Sequence, residues 1–141
     1  MPKIVDHEKR REEILANCFE LFAQRGYAAL TMREIAQALE VSTGTLYHYF
    51  DGKRELFHAM FEWISQSDVE AVALEIPSDI DLDQRLYLLR MYLFNRAQHL
   101  SDVIRTGIEF QRRHPDAEGE GTIQLILNAY RTAIRNQLDL E

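Results

Sequence analysis

The chain has 141 residues, 46% hydrophobic and 28% charged, which fits one globular body or a small module joined to a modest second domain. No apolar run approaches the roughly 20 residues of a membrane span, and no apolar signal core opens the sequence. The single cysteine, Cys18, excludes an internal disulfide and a cysteine-rich zinc site, so a reducing cytoplasm is the expected compartment.

The net charge of -7 is unevenly spread: residues 1–54 hold eight basic groups, Lys3 and every other lysine among them, and eight acidic ones. The rest of the chain therefore carries the whole negative excess. A neutral first segment can meet nucleic acid if its cations gather on one face, because phosphate contact depends on sign.

In chain order, a first helix is expected over about 6–25. Ile14, Leu15, Cys18, Phe19, Leu21 and Phe22 form its apolar stripe at spacings of three and four. Asp6 and Glu8 suit the N-terminal end of the dipole, and Gly26 stops the helix. Thr31 and Glu34 make a T-x-x-E capping box for a second helix, with Ile35, Ala36 and Leu39 inward. Glu40 and Val41 form a turn, and Ser42 reads as the N-cap of a short third helix to about Tyr49. A fourth helix follows the Asp51-Gly52 break, over about 53–75, with Leu56, Phe57, Met60, Phe61 and Ile64 on its inner face.

After a connector at 77–81, a helix is expected over about 82–98 with Leu82, Leu86, Leu89, Leu93 and Ala97 inward. Another spans about 102–113 and stops ahead of His114-Pro115. Residues 116–121 read as a polar loop. A last helix starts at Thr122, with Ile123, Ile126, Leu127, Tyr130, Ile134 and Leu138 as its stripe. The fold class is all-α.

The second and third helices, joined by a tight turn, have the ingredients of a helix-turn-helix, whose second helix enters the major groove. With Leu46 and Phe50 inward at about 100° per residue, Gly44 and His48 point outward and Thr45 and Tyr47 flank them. The small residues Thr43-Gly44-Thr45 allow close backbone approach to DNA, and hydroxyls there can donate to phosphate.

The run Gly26-Tyr27-Ala28-Ala29-Leu30-Thr31-Met32-Arg33-Glu34-Ile35-Ala36, followed by Val41-Ser42-Thr43-Gly44-Thr45-Leu46-Tyr47-His48-Tyr49-Phe50-Asp51-Gly52-Lys53-Arg54-Glu55-Leu56, resembles the DNA-binding domain of the tetracycline-repressor (TetR) family. The resemblance covers about residues 8–60, across three helices. It implies a helix-turn-helix DNA-binding domain at 1–54 and a helical effector-binding and dimerisation domain at 55–141. Family roles carried onto matching positions have Thr31 capping the second helix and touching phosphate, and Arg33 reaching a base or phosphate. Thr43 and Gly44 then lie against base edges, and Thr45, Tyr47, His48 and Tyr49 meet backbone or bases. Lys53 neutralises a phosphate. Many family members carry lysine or glutamine where Thr43 stands, so specificity at that spot is expected to differ.

From residue 55 onward no catalytic constellation is present: no G-x-S-x-G, no H-E-x-x-H and no phosphate-binding glycine loop. The chain is therefore not expected to be an enzyme, nor to carry a metal or cofactor. His58, His99 and His114 share no metal spacing, and Cys18 reads as core. The dense aromatic and sulfur side chains read first as helical core. The resemblance adds an apolar pocket for a hydrophobic or aromatic effector, with Met60, Trp63, Tyr87, Met91, Tyr92, Phe94, His99 and Phe110 as candidate lining and Arg96 as a further polar group.

What the resemblance implies is a homodimeric repressor that leaves double-stranded operator DNA when a small molecule binds, its fourth helix linking the two events. A helical small-molecule- or partner-binding protein without operator binding is the alternative. Family members end in two further helices that pair across the dimer, and this sequence is shorter than usual at the C-terminus. Truncation, another mode of pairing and a monomer all stay open. A truncated chain would expose apolar surface on the Leu127, Ile134 and Leu138 side.

Overall fold

The structure, a computed structural model, describes residues 6–138; Lys3 and the outer ends of the two expected domains lie outside the described residues. Those residues form seven helices and no strand: α1 (His7–Arg25), α2 (Met32–Ala38), α3 (Thr43–Tyr49), α4 (Lys53–Glu75), α5 (Leu82–Asn95), α6 (Ala97–Arg113) and α7 (Ala117–Leu138). None of them is long and apolar enough to cross a membrane.

The chain forms two compact units, Met1–Trp63 and Ile64–Glu141. Their division falls inside α4, so the first turns of that helix pack with the N-terminal unit.

Local chemistry sets the ends of the N-terminal helices as expected. The Asp6 carboxylate accepts from the Lys9 N–H at the start of α1. Gly26 ends that helix at φ 81°, a conformation open to glycine because it has no Cβ. The capping box is complete: the Glu34 N–H donates to Thr31 Oγ1 at 3.2 Å, and the Thr31 N–H donates to Glu34 Oε2 at 2.8 Å. Ser42 accepts from the Thr45 N–H at 3.0 Å and opens α3. All six expected α1 residues are buried. They meet Tyr27, Leu30, Ile35, Leu46, Phe50, Leu56, Phe57, Met60 and Phe61 in one core. Each such side chain contributes about 1.5–3 kcal/mol on burial. Phe22, Tyr27 and Phe57 form its aromatic centre, with ring centroids 4.9–5.9 Å apart.

In the second unit three sequence expectations need correction. Helices α5 and α6 are separated by the single residue Arg96, so α6 begins at Ala97 and not near residue 102. No glycine or proline marks that junction; the Arg96 guanidinium is drawn to Asp68 on α4 at 2.8 Å.

The buried side of α5 is Arg85, Leu89 and Tyr92. Leu82, Leu86 and Leu93, expected inward, are exposed, as is Ala97 at the start of α6. The helix has more leucines than its neighbours can cover, and it is rotated so that Tyr92 and Leu89 join Val72 and Ile76.

Helix α7 begins at Ala117, inside the expected loop. Asp116 caps it, accepting from the Gly119 N–H at 3.1 Å. Gly119 is there for packing: a Cβ on it would lie 1.9 Å from the His114 carbonyl oxygen. The buried positions of α7 are Gly119, Thr122, Ile126, Ala133 and Gln137. Ile123, Tyr130 and Leu138 are half-buried, and Leu127 and Ile134 are exposed.

Candidate functional site

The N-terminal unit presents a polar helix face by burying the opposite one. Leu46 is fully buried and Phe50 is 1% exposed. Four residues apart, they share one side of α3. The Arg11 guanidinium lies 5.2 Å from the Phe50 ring centroid. On the other side Thr43, Gly44, Tyr47 and His48 are exposed, and Thr45 and Tyr49 are half-buried. The structure thus places the expected residues of α3 on one accessible surface.

Their local contacts define what they can do. The Thr45 hydroxyl shares a 2.8 Å hydrogen bond with Ser42 Oγ. A Cβ on Gly44 would approach nothing nearer than Ser42 Oγ at 3.8 Å. The protein's own packing does not require glycine there, so the missing side chain matters only to what approaches from outside. Tyr47 projects a phenol, 51% exposed.

Tyr49 and His48 join a small cluster that the sequence did not reveal. The Tyr49 hydroxyl hydrogen-bonds His7 Nδ1 at 3.2 Å, and the His7 and His48 rings lie 6.0 Å apart. His7 lies 42 residues before Tyr49 in the chain, and no spacing rule links them.

On α2, Arg33 is exposed. Thr31 also donates its hydroxyl to Glu34 Oε2 at 2.7 Å. These hydrogen bonds from the Thr31 hydroxyl and amide, with the nearby charges of Arg25 and Lys53, hold the Glu34 carboxyl below its usual range. Lys53 has a structural engagement that the sequence did not suggest. Its ammonium donates to the Tyr27 carbonyl at 2.8 Å and sits 4.0 Å from the Tyr27 ring centroid. It ties the start of α4 to the connection after α1.

An exposed helix face bearing hydroxyls, a phenol, an imidazole and a bare backbone position offers donors for phosphate oxygens and for base edges.

The second unit contains a cavity of about 180 Å³ whose lining includes Asp68, Tyr92, Leu100 and Tyr130. Of the residues expected to line the effector pocket, Tyr92 alone is in the wall of this cavity. Met60 belongs to the core of the N-terminal unit, Phe110 is buried, Met91 and Trp63 are half-buried, and Tyr87 and Phe94 are exposed.

His99 touches the cavity's edge indirectly, through Asp68. That carboxylate is the feature sequence reasoning missed. It is 3% exposed and accepts from Arg96 Nη2 at 2.8 Å, His99 Nε2 at 2.9 Å and the Tyr130 hydroxyl at 2.5 Å. Burial alone would raise its pKa. The hydrogen bonds from His99 and Tyr130, with the charges of His99 and Arg96, more than offset this and hold it below the usual carboxylate range. A signal did exist: Asp68 falls midway between Ile64 and Val72 on an apolar i, i+4, i+8 row.

Residues 14–60 match the family described as bacterial regulatory proteins, tetR family. The HTH-type transcriptional regulator PksA of Bacillus subtilis (strain 168) is 41% identical over 56 residues, which cover 40% of this chain and 27% of PksA. The solved structure of the fatty acid degradation regulator FadR from Bacillus halodurans gives a TM-score of 0.71 at 22% identity, over 92% of this chain and 66% of that one. FadR from Bacillus subtilis, solved in complex with stearoyl-CoA, gives 0.68 at 22% identity, over 90% and 68%. Both structural likenesses concern the fold. The matches span 27%, 32% and 23% of the length of the first three curated relatives. The capped α2, the tight turn and the outward polar face of α3 all lie within the matched segment, and it is this segment, residues 14–60, that carries the match to the tetR family of bacterial regulatory proteins.

Proposed function

We propose that this protein is a DNA-binding transcriptional regulator, a repressor that leaves its operator when a small apolar effector enters the second unit. The observation that carries this function is the face of α3: Thr43, Gly44, Tyr47 and His48 lie exposed together opposite the buried Leu46 and Phe50. A rod held by its apolar side and bare at one glycine suits a major groove. Thr31, Arg33, Thr45, Tyr49 and Lys53 flank it as backbone or base contacts. In this division residues 1–54 meet DNA, and residues 55–141 take the effector and pair with a second copy.

Release follows from linkage. Asp68 and Val72 of α4 line the cavity, and α4 also supplies Leu56, Phe57 and Met60 to the core beneath α3. An effector that binds better when α4 is displaced must weaken operator binding by the same factor. In a symmetric dimer the two α3 helices would enter successive grooves about 34–36 Å apart, and changing that separation would release the DNA.

The test is fluorescence anisotropy with duplexes from immediately upstream of the protein's own gene, at two salt concentrations. One duplex should bind at least about 10³-fold tighter than a scrambled duplex, with affinity falling as salt rises. Equal affinity for all duplexes would remove the operator reading and leave a helical ligand- or partner-binding protein.

A further inference from the structure

We infer that His7 on α1, with His48 and Tyr49 on α3, forms a seat for one backbone phosphate of DNA, charged by protonation of its imidazoles, so that DNA binding tightens as pH falls. This inference rests on the DNA-binding reading above. It adds a contact from α1 and a condition under which that contact works.

The three rings stand in a triangle. Their centroids are 6.0 Å apart for His7 and His48, 6.4 Å for His7 and Tyr49, and 5.1 Å for His48 and Tyr49. Both histidines are exposed and Tyr49 is half-buried, so the triangle opens to solvent beside the outward face of α3. Arg11, one turn after His7, lies over the Phe50 ring and fastens this end of α1 to the end of α3.

Protonation changes what the triangle can donate. His7 Nδ1 and the Tyr49 hydroxyl are 3.2 Å apart. A neutral ring with Nδ1 bare takes the phenol hydrogen. A protonated ring has donors only, so Nδ1–H donates to the phenol oxygen and the phenol hydrogen is released to a phosphate oxygen. The same proton adds a positive charge beside it. Histidine is the side chain whose charge ordinarily changes between about pH 5 and 8.

The surrounding charges suit an anion. Helix α3 carries no carboxylate, and at the turn into α4 Glu55 accepts from the Asp51 N–H. On α1, Arg10 and Arg11, three and four residues on, share the side of His7, with Arg10 3.8 Å from Glu13. Asp6 is occupied in capping the helix, and Glu8 lies about 100° round it. Two imidazolium rings this close repel each other, and a phosphate beside them offsets that repulsion. Proton uptake and DNA binding therefore strengthen each other.

The experiment is fluorescence anisotropy of the full chain with the upstream duplexes and a random-sequence duplex of equal length, at about pH 5.5 and about pH 8, each at two salt concentrations. Every duplex that binds should bind at least about fivefold tighter at the lower pH, with a salt slope steeper by about one for the phosphate gained. His7→Asn keeps an amide against Tyr49 and cannot titrate. It should cut the pH effect to about twofold or less and give one salt slope at both pH values. His58→Gln, on α4 and outside the triangle, should keep the native pH effect. Helical circular dichroism matching the native protein checks that both variants fold. A pH effect retained in His7→Asn, lost equally in His58→Gln, or absent from the native protein overturns the seat. If all duplexes bind alike and the pH effect still vanishes in His7→Asn, the seat stands and the operator reading falls. If one upstream duplex binds far tighter than the random one at an affinity independent of pH, the operator reading stands and the seat falls. A chain that binds no duplex at either pH overturns both.

Discussion

Single residues on α3 and α4 separate what holds the fold from what would meet DNA. Gly44 is the clearest case. A Cβ there would meet only Ser42 Oγ, at an ordinary contact distance of 3.8 Å, and glycine is a poor helix former by roughly 1 kcal/mol relative to alanine. Gly44→Ala should therefore leave thermal stability unchanged or raise it by up to about 1 kcal/mol, while weakening operator binding about tenfold or more. Matched melting and anisotropy curves decide it; undiminished DNA affinity would mean that no backbone approach occurs at this position. Lys53 is the mixed case. Losing its bond to the Tyr27 carbonyl and its seat on the Tyr27 ring should destabilise Lys53→Ala by about 1–3 kcal/mol. If the ammonium also meets a phosphate, affinity for every sequence falls alike and the salt slope drops by about one. A loss confined to one operator would refute the phosphate role. Periodicity pointed to the outward face of α3 because Leu46 and Phe50 fix its rotation. It could not reveal that His7 would come to Tyr49, since contacts across 42 residues leave no local trace.

At the scale of elements, the N-terminal helices could be read closely because each begins with a capping side chain and ends at a turn residue. The second unit was harder. The α5–α6 break has no glycine or proline, and the residue at it, Arg96, is engaged by an ion pair with Asp68 on α4 that leaves no local trace in the sequence. The leucines of α5 gave a stripe, but the neighbours cover a different side. Gly119 looked like a loop residue and is a packing residue: Gly119→Ala should lower stability by about 1–3 kcal/mol through overpacking against His114, measured by urea denaturation. The Asp68 network makes a second prediction. Its folded-state pKa is depressed, so its stabilising effect is fully present above the ordinary carboxylate value near about 4 and is lost as pH falls through the lower folded value. Acid unfolding of the native protein should therefore steepen below about pH 4, and Asp68→Asn should flatten that dependence while lowering stability at neutral pH. Tyr130→Phe should act in the same direction and more weakly. A pH profile identical in native protein and Asp68→Asn would show that the carboxylate is not what acid attacks.

For the whole molecule, the arrangement of charge and apolar surface bears on how copies assemble. All of the net charge of -7 lies beyond residue 54, which keeps the acidic excess out of the segment proposed to meet DNA. On the second unit, Leu127 and Ile134 are 47% and 40% exposed, seven residues apart on α7, and Ile104 and Ile108 on α6 are exposed to a similar degree. Two residues seven apart share a helix face, and such rows are more apolar than a solvated surface requires. A second copy pairing through this surface would be isologous, the same patch on both partners. It would also turn operator binding bivalent, with a gain in avidity of about 10²–10⁴. The Leu127→Glu, Ile134→Glu double variant should then sediment as a monomer where the native protein sediments as a dimer, and bind operator at least about 10²-fold more weakly. Leu74→Glu, at an 85% exposed site on α4, is the control for added charge and should change neither. A helical circular-dichroism signal and a urea midpoint close to the native ones would show the double variant still folded, and an unaltered sedimentation coefficient would then exclude this face as the pairing surface.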